Sequence, residues 1–127
     1  MTVELATILL AAALAAAPGA PPPLVDLPYV ASAMCAEAGV DVGRCLATIE
    51  RESGWDPSAV GDRGDAVGIV QFHADATYGT WGYCVSRWGR PEWLDPDMRE
   101  DAVVSLYLFS RAAAAGYGHW WAGWRAS

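Results

Sequence analysis

Glu52 has the clearest chemical capacity in the chain, because it stands at the end of an apolar helical stretch where a carboxyl group is hard to ionise. Projected at 100° per residue, Val42, Cys45, Leu46 and Ile49 fall within one arc of roughly 100°, with Glu52 at its edge. Arg51 points the opposite way and Glu50 leaves the stripe on its other side, so Glu52 is the glutamate expected to face a cleft. Gly54 stops the helix and Pro57 forbids its continuation. A carboxyl at the rim of an apolar face has a raised pKa, which is what a general acid working near neutral pH requires. The plainer reading is a solvated residue in the last turn.

The residues after Glu52 favour the catalytic reading. Glu52-Ser53, Asp56-Pro57, Ala59-Val60 and Gly68-Ile69-Val70-Gln71 come in this order between residues 52 and 71. As an ordered set they make the chain similar to the lysozyme-like superfamily over residues 28–124. It most resembles the soluble lytic transglycosylase domain and the goose-type-lysozyme-like domains, in their compact phage or actinobacterial form.

The resemblance implies a mainly α, α+β lysozyme-like fold: a small helical domain with a short β or turn region beside a substrate cleft. It implies cleavage of the β-1,4 bond between N-acetylmuramic acid and N-acetylglucosamine in peptidoglycan glycan strands, with no cofactor and no metal. Glu52 would protonate the leaving oxygen, then as a carboxylate take a proton from the muramic C6 hydroxyl and so close a 1,6-anhydro ring. That route needs one carboxylate, whereas retaining or inverting hydrolysis uses two. Asp62 and Asp65 are the acids on the following loop available as a second, and turn capping is the plainer role for both. By the family pattern Ser53 orients the Glu52 carboxyl and Gln71 faces the cleft and binds substrate. The plainer role for Gln71 is to satisfy a turn. The family's third motif, Ala-Tyr-Asn, is missing, since the chain contains no Asn. Tyr107 and Tyr117 are the two candidates to contact the acid in its place. A non-catalytic wall-binding or virion structural module with a degenerate site is the alternative function.

These residues need a scaffold, and 127 residues suffice for one domain with a core. The net charge of −7 argues against binding nucleic acid through phosphates and offers no attraction to an anionic wall, so glycan recognition falls to shape and to stacking on the seven Trp. Metal chemistry has little to draw on. His73 and His119 are the only histidines, and His73 with Asp75 makes two ligands where catalytic zinc takes three. Cys35 and Cys45 flank a turn and could be bridged in an oxidising compartment, or all three cysteines could be small buried residues.

Residues 1–17 contain an apolar run from Leu5 to Ala17, too short for a stable span. No Lys or Arg precedes it, and cleavage after Ala17 or Ala20 would leave a proline at the new terminus. The segment reads as an atypical export signal or as a weak Ala-rich anchor through residues 5–17, so the chain is expected to be exported or membrane-anchored, and monomeric. Residues 18–27, with Pro21-Pro22-Pro23, form an extended linker, and 28–127 the domain.

Within the domain, Leu27 to Gly39 predicts a helix and Asp41 caps the one that carries Glu52. The Gly- and Asp-rich stretch from Gly54 to Gly68 predicts turns or a small hairpin. Val67 to Phe72 is open between strand and helix start, and Ala74 to Tyr83 suggests a helix. Trp81 to Trp93, broken by Gly82, Gly89 and Pro91, reads as a loop that is either a sugar-stacking wall or a set of core plugs. Asp95-Pro96 predicts the start of a buried helix running to Ala115, with Gly116 as its stop. Tyr117 to Arg125 reads as a short final helix.

Overall fold

The computed structural model describes residues 26–74 and 79–127. The apolar segment 1–17, the linker up to Val25, and residues 75–78, Asp75 included, of the helix anticipated over Ala74 to Tyr83 lie outside the described residues; of that helix, Thr80 to Tyr83 is helical. The described chain is mainly helical with a small three-stranded antiparallel sheet, an α+β arrangement. None of its helices is long and apolar enough to cross a membrane.

Helix α1 (Leu27–Ala38) begins at Asp26, whose carboxylate accepts the Tyr29 N–H at 3.1 Å, and ends at Gly39. Helix α2 (Val42–Ser53) begins at Asp41, which accepts the Arg44 N–H at 2.9 Å, and stops at Gly54 with φ 61°. Both boundaries follow from side chains that satisfy otherwise unpaired helix-end amides. Cys45 and Ile49 are fully buried, Val42 and Leu46 pack against the core, and Glu52 is half-buried.

The chain then forms a hairpin, β1 (Val60–Gly61) against β2 (Ala66–Val67), closed by left-handed residues Asp62, Arg63 and Gly64 at φ 47°, 59° and 96°. β3 (Phe72–His73) pairs with β2 in antiparallel register. The open run from Val67 to Phe72 is therefore a strand end, a turn and a second strand. Gly68 makes that turn possible. It has φ 97°, its N–H donates to the Ala59 carbonyl at 2.9 Å, and a Cβ would stand 2.1 Å from the Arg99 carbonyl oxygen.

Two expectations need correction. Trp81 to Trp93 is not a loop: helix α3 (Thr80–Trp88) occupies most of it, followed by a 3-10 turn at Pro91–Leu94. Trp81, Cys84, Val85 and Trp88 recur at i, i+3, i+4 and i+7 and turn one face inward, outweighing the penalty of about 1 kcal/mol for Gly82. Trp81 and Trp93 are buried, with the Trp81 indole donating to the Trp93 carbonyl at 2.8 Å, so these two are core plugs and not a stacking wall. Nor does one helix run from Asp95 to Ala115. A 3-10 turn (Pro96–Glu100) ends at Asp101, which caps a fresh helix, α4 (Ala102–Ala114), by accepting the Val104 N–H at 3.0 Å.

The break serves Arg99. Its side chain is buried and donates to the carbonyls of Pro96, Asp65 and Phe72 at 2.9, 2.8 and 2.9 Å, tying the sheet to the start of α4. α4 is buried on nearly all sides, as its composition predicts, and packs against α1 and α3. After a left-handed Gly116, a 3-10 turn at Gly118–Trp120 leads into α5 (Ala122–Ala126), which lies across α2.

Cys35, Cys45 and Cys84 are buried free thiols. The bridge considered for the first two is not formed, and they meet as a hydrogen-bonded pair of thiols. That bond, then burial, pushes the Cys35 thiol far above its ordinary range, and burial alone pushes Cys84 up to about 12. A buried thiol held in its protonated form is a poor nucleophile near neutral pH.

Candidate active site

Helix α2, the sheet, the start of α3 and the start of α5 converge on a cleft of about 350 Å³. Glu52, Asp62, Gln71, His73, Trp120 and Trp121 are among the side chains that line it. Glu52 comes from the last turn of α2, where the carbonyl end of the helix already disfavours negative charge.

The Glu52 carboxyl is held above its ordinary pKa, chiefly by burial and in a smaller degree by the nearby Asp62 charge. Three groups pull the other way: the backbone N–H of Gly123, which hydrogen-bonds the carboxylate, and the charges of Arg51 and Arg125. Burial wins. The result is an acid that keeps its proton to higher pH than a solvated glutamate, with one amide already placed to receive the charge when the proton leaves.

Gly123 can do this because it has no side chain. A Cβ there would lie 2.9 Å from the Cα of Thr48 and 3.3 Å from the Cβ of Arg51, so only glycine lets α5 rest on α2. The sequence alone does not reveal this contact. No periodicity links residue 123 to residue 52, and a glycine inside a short helix carries no chemical signal of its own.

Ser53 does not orient the Glu52 carboxyl as the family pattern implies. Its hydroxyl donates to the Ile69 carbonyl at 2.6 Å and accepts the Trp55 N–H at 3.1 Å. Ser53 thus anchors the 68–71 turn to the end of α2, which fixes Gln71 relative to Glu52.

Gln71 faces the cleft as expected and also satisfies the turn. It lines the cleft, and its amide N–H groups donate to the carbonyls of Ala59 and Gly68 at 2.9 and 3.0 Å. With the donors spent on the hairpin, Oε1 is the atom it can offer a ligand. That oxygen would be only 2.5 Å from a Cβ at position 61, which explains the glycine there. Gln71 itself has φ 57°, and Asp62 beside it φ 47°; two residues in this disfavoured conformation lie on one small cleft, where backbone strain tends to collect.

Neither tyrosine expected to replace the missing motif reaches the cleft lining. Tyr107 lies on α4 with its ring edge-on to Trp93 at 6.2 Å and the Arg111 guanidinium 5.4 Å from its face. Tyr117 stacks on Trp120 at 4.5 Å. The lining residue that the sequence undersells is His73. Its Nε2 stands 3.1 Å from Asp62 Oδ2, forming an ion pair when the imidazole is protonated. Alternation in β3, with Phe72 buried and His73 turned to the cleft, is the signal that could have marked it.

Thr80 joins β3 to α3, its hydroxyl accepting the His73 N–H at 3.3 Å. At the base, the Trp121 indole donates to the Val70 carbonyl at 2.8 Å and its ring meets Phe72 and Phe109 edge-on. The cleft therefore has a fixed apolar base, one carboxyl of raised pKa on one wall and an Asp62–His73 pair among its other lining groups. Among the described residues no group of three or more His, Cys, Asp or Glu side chains is placed to hold a metal. No family model matches the chain, and comparison with curated proteins and with solved structures returns no match.

Proposed function

We propose that the protein is a peptidoglycan-cleaving enzyme, a lytic transglycosylase or lysozyme that cuts the β-1,4 bond between N-acetylmuramic acid and N-acetylglucosamine. One observation carries this reading: Glu52 is half-buried on a cleft, with its pKa raised by burial and the Gly123 backbone amide beside its carboxylate. Glu52 protonates the glycosidic oxygen as the bond breaks, and the Gly123 N–H stabilises the carboxylate that results. Gln71 Oε1 and Trp120 are the groups best placed to hold the sugar. The similarity of the 52–71 sequence set to lytic transglycosylases supports the same chemistry.

In the transglycosylase branch Glu52 then acts as base toward the muramic C6 hydroxyl, and no further carboxylate takes part. The Asp62–His73 pair favours a second branch, in which this exposed carboxylate positions a water and the outcome is hydrolysis. Mass spectrometry of the products from purified cell wall separates the two. Anhydro-muramic ends identify the transglycosylase and reducing ends identify the hydrolase. A wild-type chain that binds wall without clearing it in a zymogram overturns both and leaves a non-catalytic wall-binding module.

We also place the site of action outside the cytoplasmic membrane, with residues 5–17 serving as export signal or anchor. This reading rests on the location of the proposed substrate and the apolar N-terminal run. Fractionation of an epitope-tagged full-length chain tests it, and recovery wholly in the cytosol would overturn it.

A further inference from the structure

Thr80, Tyr83 and Arg87 are spaced by three and four residues along α3, which puts them on one face of that helix. Thr80 lines the cleft, and Arg87 lies about 10 Å further along the axis at roughly 1.5 Å per residue. Tyr117 and Trp120 complete this face. The Tyr83 ring meets both of them edge-on, at 5.6 and 5.8 Å, and Tyr117 stacks on Trp120 at 4.5 Å and 23°. Because Trp120 also lines the cleft, an aromatic surface runs without interruption from the Glu52 site to Arg87.

Arg87 is held at the far end of that surface. Its Nη1 donates to the phenol oxygens of Tyr83 and Tyr117 at 2.7 and 3.2 Å, and its guanidinium lies 4.9 Å from the Trp88 ring. The two phenols are themselves 3.0 Å apart. Among the described residues no carboxylate lies within ion-pair distance of Arg87; the one ion pair there joins Asp62 to His73. Among the described residues no arginine is ion-paired; Arg87 stands apart because it is exposed and held at the end of the aromatic surface that leads from the cleft. Its fork retains N–H groups suited to a planar carboxylate, and the rings leading to it suit the apolar faces of sugars.

We propose that Trp120, Tyr83 and Tyr117 form an extension of the glycan site and that Arg87 binds a carboxylate of the peptide carried by a muramyl sugar. The ligand of this subsite is therefore peptide-bearing glycan in preference to bare glycan. The identity of the ligand rests on the peptidoglycan reading of the Glu52 cleft; the aromatic surface and its cation do not.

The test uses the full chain carrying Glu52→Gln, so that ligand is not consumed. Two muramyl oligosaccharides of equal length, one with its peptides and one stripped of them, are titrated by calorimetry. The peptide-bearing ligand is expected to bind about fivefold tighter, the upper range for an exposed ion pair, and Arg87→Gln to bring that ratio close to one. Arg87→Lys, which keeps the charge but loses the fork, is expected to recover part of the ratio. A ratio unchanged by Arg87→Gln, in a chain whose parent cleaves cell wall, overturns the subsite and leaves the proposed activity standing. If neither oligosaccharide binds and the parent cleaves no wall, the peptidoglycan reading and this subsite fall together.

Discussion

At the scale of single residues, the proposed chemistry depends on when Glu52 loses its proton. Glu52→Gln keeps the shape and removes the transferable proton, so wall-clearing activity should fall by about 10²-fold to 10⁴-fold, read by zymography or by release of soluble fragments. The pH profile should carry the same signature. Because burial raises the Glu52 pKa, cleavage should persist past the ordinary carboxylate range and decline as pH rises through the raised value. Stability has the same sign. The folded state favours the protonated form, so the contribution of Glu52 is fully present below its unfolded pKa and is lost as pH rises through the folded one. Chemical denaturation of wild type and Glu52→Gln should therefore show the variant gaining relative stability toward neutral pH, and a constant difference across pH would contradict the assignment.

Glu52 and Gln71 are legible in the sequence because both sit in an ordered local set and Glu52 also obeys helical periodicity. His73 and Asp62 each stand out as polar residues, yet their pairing is not readable, because it depends on how the Asp62–Gly64 turn folds against β3. The role of Ser53 is hidden for a similar reason: its partner, Ile69, becomes a neighbour only once the turn at Gly68 closes.

At the scale of elements, the cleft depends on two close approaches. Gly123→Ala puts a methyl group against the Thr48 backbone and should cost about 1–3 kcal/mol in denaturant unfolding, as overpacking does. It should also weaken the N–H bond to Glu52, one of the influences that lower its pKa. The descending limb of the pH–activity profile should then move to higher pH, a shift that mere destabilisation does not produce. Arg99 governs the other side. Arg99→Met should lower stability by about 3 kcal/mol in thermal or denaturant unfolding, since it strands buried carbonyls of three segments. Helices α1 and α2 are readable to their caps because Asp and Gly mark their ends in the sequence. α3 is not, because Gly82 and the surrounding tryptophans suggest an irregular chain until their helical spacing is counted. The break at Asp101 is hidden for a different reason: Asp95-Pro96 is itself a good helix start, and only the long-range bonds of Arg99 make a second start better.

At the scale of the whole molecule, charge works against the proposed substrate. A chain of net charge −7 approaching an acidic wall is repelled at long range, while the contact between Arg87 and a carboxylate acts at short range. Raising salt from about 0.01 M to about 0.15 M shortens the screening length from about 30 Å to about 8 Å, so the rate of wall cleavage should rise over that interval. A rate that only falls with added salt would mean that local cations dominate the encounter. The mainly helical content is readable from element lengths and caps, while the α+β class is what the resemblance of the 52–71 set implies. Which elements surround the cleft is not readable, since that rests on α5 reaching back across α2.

That crossing has a further consequence. The strength of the proposed acid is adjusted by a backbone amide whose position is set by helix contact, at a residue outside the cleft lining. Variants adapted to more acidic or more alkaline surroundings are therefore best sought along the seam between α2 and α5, where a small displacement retunes the working range and leaves the groove chemically unaltered.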